Sequence, residues 1–169
     1  MIHLYHGDGK GKTTASCGLA VRAAGSGKKV LFVQFFKDGS SSEIKALSQL
    51  ENVKTLYSPE HYGRYVKMDD SQKEEASESY HALLHEAIQE APNYDLIVLD
   101  EIVSTYHYNM IDRNELLLFL KDEGEKREIV MTGRHPAPEL KELADYITEM
   151  KKERHPFDKG IIARKGIEF

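Results

Sequence analysis

Near the amino terminus, His6-Gly7-Asp8-Gly9-Lys10-Gly11-Lys12-Thr13-Thr14-Ala15 gathers three glycines, two lysines and two threonines. It stands between an apolar segment, Met1 to Tyr5, and a run of small residues, Ala15 to Ala24. Few arrangements admit such a segment. The apolar residues read as a strand, the small ones as a close-packing helix ending at Gly25-Ser26-Gly27, and the glycines as the turn between them. Glycine lets successive backbone N–H groups turn inward onto phosphate oxygens, the helix N-terminus adds positive potential, and Lys12 adds a mobile charge. The segment reads as a phosphate-binding loop. Gly7, Asp8, Gly9, Lys10, Gly11, Lys12, Thr13 and Thr14 line it, and Thr13 is placed to ligate magnesium. His6 stands where the strict pattern G-x-x-x-x-G-K-[ST] has glycine, so the loop is a variant of that pattern.

The rest of the chain supplies what such a loop needs. Lys28 to Phe36 is a nearly continuous apolar run, the pattern of a strand buried on both faces of a parallel sheet. Further strands are expected at Val53 to Tyr57, Asp95 to Glu101, Glu128 to Thr132, Tyr146 to Glu149 and Ile161 to Arg164. Helices are expected at Glu43 to Leu50, Ser71 to Ala91, Arg113 to Leu120 and Pro138 to Ala144. Alternating strands and helices predict one α/β domain over residues 1–169. Its central sheet is mostly parallel, has helices on both faces, and gathers ligand loops at the carboxyl ends of its strands.

A net charge of -5 argues against general nucleic-acid binding. No apolar run reaches the roughly 20 residues of a membrane span, and the first residues lack a signal-peptide pattern, so a soluble, cytoplasmic protein is expected. The single cysteine, Cys17, allows no internal disulfide and reads as a packed thiol.

Three further groups point to chemistry. Asp100 and Glu101 end an apolar strand, as in a Walker B motif, which in a P-loop protein lies beside the first strand and presents carboxylates to the nucleotide's magnesium. One carboxylate can orient Thr13 while the other ligates the ion or activates water. Thr132-Gly133-Arg134 ends another strand, and the planar, permanently charged guanidinium of Arg134 suits the far end of a triphosphate. Tyr57, His61, Tyr62 and Tyr65 in one expected loop, and Tyr106, His107 and Tyr108 in another, suggest as a set a broad, flat, partly apolar ligand.

These strings resemble the P-loop class of ATP:corrinoid adenosyltransferases. The likeness runs through Gly7 to Ala15, Gly27 to Val30, Val33-Gln34-Phe35-Phe36-Lys37, Val98 to Glu101, Thr132 to Arg134, Glu142 to Asp145, Phe157 to Gly160 and Gly166 to Phe169, in order along nearly the whole chain. It implies a P-loop NTPase-like, RecA-like fold. It also implies a reaction in which the cobalt(I) of a reduced corrinoid attacks the 5′-carbon of ATP and triphosphate leaves.

Lys12, Glu101 and Arg134 would then be catalytic, and the loop residues with Arg134 would hold ATP. Thr13, Glu101 and Asp100 would serve magnesium, or manganese in its place, while Tyr57, His61, Tyr62 and Tyr65 would meet the corrinoid. An electron donor such as a flavoprotein and a homodimer are implied as well. The chain departs from the family in lacking Trp and the amino-terminal extension of longer members. Two other readings share the loop and the Asp-Glu strand end. One is a thymidine-kinase-like nucleoside kinase, whose usual four-cysteine zinc site a single cysteine cannot supply; the other is a nucleotide-switch ATPase using Glu101 to activate water.

Overall fold

The computed structural model describes residues 1–63 and 65–168. Arg64, within the aromatic loop, and Phe169, in the terminal motif, lie outside the described residues. Six parallel strands form one sheet: β1 (Ile2–His6), β2 (Val30–Gln34), β3 (Val53–Tyr57), β4 (Leu96–Asp100), β5 (Glu128–Gly133) and β6 (Tyr146–Glu149). Their spatial order is β3-β2-β4-β5-β1-β6.

Side-chain alternation divides the core. Val30, Phe32, Leu96, Val98 and Val130 face α1 (Lys12–Gly25) and α2 (Ser42–Leu47) through Ala20, Ala23, Ile44 and Leu47. Leu31, Val33, Ile97, Leu99, Ile129 and Met131 face the other layer. That layer consists of α3 (Asp70–Glu90), α4 (Ile102–His107), α5 (Arg113–Glu123) and α6 (Pro138–Leu143). Every residue of β2 and β4 is buried, which explains why those segments read as unbroken apolar runs rather than alternating ones. Small residues on α1 allow close approach to the sheet, and Asp69 caps α3 through a reciprocal box with Gln72. Among the described residues no helix is long and apolar enough to cross a membrane.

Three expectations change. First, β4 does not lie beside β1, because β5 stands between them, pairing with both. The phosphate loop must therefore reach across the end of β5 to meet the carboxylates, which it does because α1 starts at Lys12 and packs under β4 and β5. Second, Ile161 to Arg164 is not a strand. Its two isoleucines are adjacent rather than alternating and are 49% and 80% exposed, and the backbone bonds locally from Ile161 N–H to the Pro156 carbonyl. Third, Tyr106 and His107 lie in α4 rather than in a loop.

Candidate functional site

The loop between β1 and α1 is shaped by its glycines and by the segment that follows β6. Gly7 and Gly11 take φ values of 110° and 117°, a region that favours glycine. A Cβ on either Gly7 or Gly9 would lie 2.5 Å from the Met150 carbonyl oxygen. Gly9 N–H donates to that oxygen at 2.6 Å, Met150 N–H to the His6 carbonyl at 2.7 Å, and Lys152 N–H to Asp8 Oδ1 at 3.0 Å. The chain after β6 thus straps the outer side of the loop. Among the causes that lower the Asp8 pKa, the Lys152 N–H bond is the largest. His6, at the variant position, ends β1 opposite Gly133.

Lys12 Nζ curls over the loop and donates to the carbonyls of Gly7 and Gly9, both at 2.8 Å. Burial pushes its pKa down, while the nearby Glu101 and Asp100 charges oppose that shift. Thr13 lies in the first turn of α1, with Thr14 exposed beside it and Lys10 exposed in the loop.

The carboxylates divide their work through geometry. Asp100 is fully buried; its Oδ1 accepts from Thr13 Oγ1 at 2.9 Å and Thr132 Oγ1 at 2.7 Å, and its Oδ2 from Gln34 Nε2 at 3.2 Å. Both of its oxygens are taken by protein donors. Glu101 follows in left-handed backbone, φ 63° and ψ 12°, held there by its N–H bond to Thr132 Oγ1 at 2.9 Å. This turn carries the chain off the strand and into α4. The Glu101 carboxylate accepts from Ser104 Oγ at 2.6 Å. Burial, then the neighbouring Asp100 charge, raises its pKa.

An all-oxygen set of Thr13 hydroxyl, Glu101 carboxylate and phosphate oxygens fits magnesium, which takes one or two carboxylates together with phosphates. Because Thr13 donates its one proton to Asp100, its lone pairs remain for the ion. Among the described residues no group of three or more His, Cys, Asp and Glu side chains offers an alternative metal cage.

Gly133, at φ 145°, passes so close to α4 that a Cβ there would lie 2.8 Å from the Val103 Cβ. It places Arg134 at the rim, with its backbone N–H on Ser104 Oγ at 3.3 Å. The guanidinium is exposed, and its charge is felt at both Lys12 and Asp8. The structure thus brings the loop, both carboxylates and Arg134 to the edge formed by the carboxyl ends of the strands.

Farther along that edge lies the aromatic segment. Tyr57 ends β3 and is 40% exposed, and His61 pairs with Asp38 at 3.2 Å. Tyr62 and Tyr65 are less free than an exposed loop implies: both pack on the core, Tyr62 edge-on to Tyr80 and Tyr65 stacked on Tyr108 at 4.1 Å between centroids. Tyr106 belongs to the core. Its hydroxyl donates to Glu139 at 2.6 Å, and burial, with that carboxylate, pushes its pKa up to about 12. His107 faces His135, with ring centroids 5.5 Å apart. Cys17 is a packed thiol raised to about 12 by burial.

Sequence reasoning missed three contributors. Gln34 carried a signal, a polar residue closing an apolar strand. Thr132 stood in a motif whose arginine drew the attention, and Ser104 lies on a helix that had not been anticipated.

A family model described as ATP:corrinoid adenosyltransferase BtuR/CobO/CobP matches residues 1–169. The corrinoid adenosyltransferase of Pseudomonas aeruginosa is 30% identical over 169 residues, covering 100% of this chain and 83% of its own. That of Sinorhizobium is 32% identical over 172 residues, covering 100% and 80%. That of Escherichia coli K12 is 30% identical over 175 residues, covering 100% and 85%. Among solved structures, a KaiC-like protein from Pyrococcus horikoshii is similar with TM-score 0.52 and 14% identity, over 91% of this chain and 73% of that one. The cytoplasmic domain of EssC is similar with TM-score 0.55 and 17% identity, over 97% and 33%. At those identities the likeness is one of fold, and the fold is the RecA-like one.

Proposed function

The chain belongs to the ATP:corrinoid adenosyltransferase family, and we propose that its site transfers the 5′-deoxyadenosyl group of ATP to the cobalt of a reduced corrinoid. The electron pair of cobalt(I) forms the new bond to C5′. The C5′–O bond breaks, and triphosphate departs with that bond's electrons. The observation that carries this reading is the family match over every residue of the chain.

Each side chain has a task that fits the step. Lys12, Arg134 and the loop N–H groups stabilise the negative charge that grows on the leaving triphosphate. Thr13 and Glu101 would hold magnesium, whose charge neutralises the same oxygens when it is bound. Asp100, which accepts the Thr13 proton, would orient Thr13, leaving Thr13 and Glu101 to ligate the ion. The nucleophile arrives with the substrate, so the protein's work is to hold ATP and the corrinoid in line. Tyr57, His61, Tyr62 and Tyr65 lie on the β3 side of the edge, away from the phosphate loop, where a flat ligand has aromatic walls. A flavoprotein-type electron donor, a homodimer and a cytoplasmic setting accompany this reading on the strength of the family likeness.

The test is product analysis. With ATP, magnesium and chemically reduced cobalamin, the corrin absorbance should shift to that of an adenosyl-cobalt species, with one triphosphate released per turnover. ADP with a phosphorylated acceptor would establish a kinase, and ADP with free phosphate a hydrolase.

A further inference from the structure

The polar cluster extends behind the residues that meet phosphate or cation. Gln34, the last residue of β2, is 0% exposed. Its Nε2 bridges two carboxylates on different elements, donating to Glu43 Oε1 on α2 at 3.3 Å and to Asp100 Oδ2 on β4 at 3.2 Å. Glu43 Oε1 takes a second donor, Lys37 Nζ, at 3.1 Å. Chemistry settles which way the amide faces, since turning it over would press its carbonyl against both carboxylates. The consequence is that Gln34 Oε1 is buried without a hydrogen-bond partner among the described residues. A buried acceptor left unmade is costly, so what the side chain does at its nitrogen must matter more.

That nitrogen touches the one oxygen of Asp100 that neither threonine reaches. With Oδ2 tied to Gln34, the carboxylate cannot swing, and Oδ1 stays aimed at Thr13 and Thr132. Thr13 in turn must spend its proton on Asp100 if its lone pairs are to face a cation. We propose that Gln34, braced by the Glu43–Lys37 pair, is a positioning residue that locks Asp100 as the anchor of Thr13 and leaves Glu101 as the carboxylate that ligates the nucleotide's divalent cation. This rests on the assignment of Thr13 and Glu101 to that cation.

Gln34→Leu removes the donor and the orphan acceptor together at similar volume. ATP binding is measured by calorimetry without divalent cation and across magnesium and manganese titrations, beside thermal unfolding and turnover. Gln34→Leu should bind ATP like wild type when no divalent ion is present. It should need about tenfold more magnesium for half-maximal enhancement of ATP binding, which corresponds to about 1.4 kcal/mol. Glu43→Gln, which keeps Gln34 and weakens its brace, should shift the same midpoint by a smaller factor, and it carries the test should Gln34→Leu fail to fold.

A purely structural role predicts the reverse: a lower unfolding temperature, weaker cation-free ATP binding and an unchanged magnesium midpoint. That result would overturn the proposal. Glu101→Gln separates the two layers of the argument. If it abolishes the magnesium dependence while Gln34→Leu leaves the midpoint where it was, the role of Gln34 alone fails. If the dependence survives Glu101→Gln, the cation assignment fails and the proposal falls with it.

Discussion

Thr132→Val isolates one hydroxyl in the middle of the site. Thr132 is fully buried, and its Oγ1 both donates to Asp100 Oδ1 at 2.7 Å and accepts the Glu101 N–H at 2.9 Å. Valine keeps the shape and deletes both bonds. Asp100 loses a charge-assisted donor, an effect of about 1.5–3 kcal/mol, and the Glu101 N–H is left unpaired at a cost of about 1–3 kcal/mol. Relaxation recovers part of this, so the net loss should be roughly 3 kcal/mol. For a domain of this size each kcal/mol moves the unfolding midpoint by about 2–4 °C, so a fall of about 10 °C is expected.

Thr132→Ser is the control. It keeps the hydroxyl and gives up one methyl, worth about 1 kcal/mol. Urea unfolding without nucleotide or divalent cation reads both variants. Thr132→Val within about 1 kcal/mol of wild type, or no worse than Thr132→Ser, would refute the claim that this hydroxyl holds the left-handed turn at Glu101.

Other perturbations test neighbouring links. Burial raises the Glu101 pKa above its ordinary 4.5. The contribution of this group to stability is therefore complete below 4.5 and is lost as pH rises through the folded-state value. Glu101→Gln should thus unfold at a higher temperature than wild type by a margin that grows from pH 4.5 upward and then levels, while turnover is lost; a margin independent of pH would contradict the shift. Gly9→Ala places a methyl 2.5 Å from the Met150 carbonyl, which is backbone and cannot rotate away. It should lower stability by about 1–3 kcal/mol and ATP affinity with it, as read by denaturation and calorimetry, whereas an unaffected affinity would show that the strap does not shape the loop. Lys12→Ala should reduce ATP binding by at least a hundredfold in the same calorimetric assay. Tyr65→Ala removes the stack on Tyr108 and should impair the corrin step while leaving ATP affinity intact, and weakened ATP binding alone would misplace the aromatic wall.

The sequence alone determined the parts whose physics is local. A glycine-rich turn between an apolar strand and a small-residue helix has one common use, and the double-sided burial of β2 and β4 was legible because every residue in those runs is apolar until the last. Arg134 and the Asp100-Glu101 pair were found for the same reason, as polar residues ending buried strands. The order of motifs along the whole chain likewise carries the family likeness.

Tertiary structure decided what depends on which strand lies beside which. Nothing in the residues of β5 says that it enters between β1 and β4, since strand order is set by how the helical crossovers pack and not by strand composition. Only that order shows that Thr132 ties the Asp100 carboxylate to the Glu101 N–H, that both oxygens of Asp100 carry protein donors, and that Gln34 reaches Asp100 from the other side. The aromatic residues tell the same lesson: alike in sequence, they split into a core tyrosine at 106, a stacked pair at 65 and 108, and an exposed rim at 57 and 61. Burial is a property of three-dimensional neighbours, and it alone separates side chains of one kind into those that pack and those that remain available to a ligand.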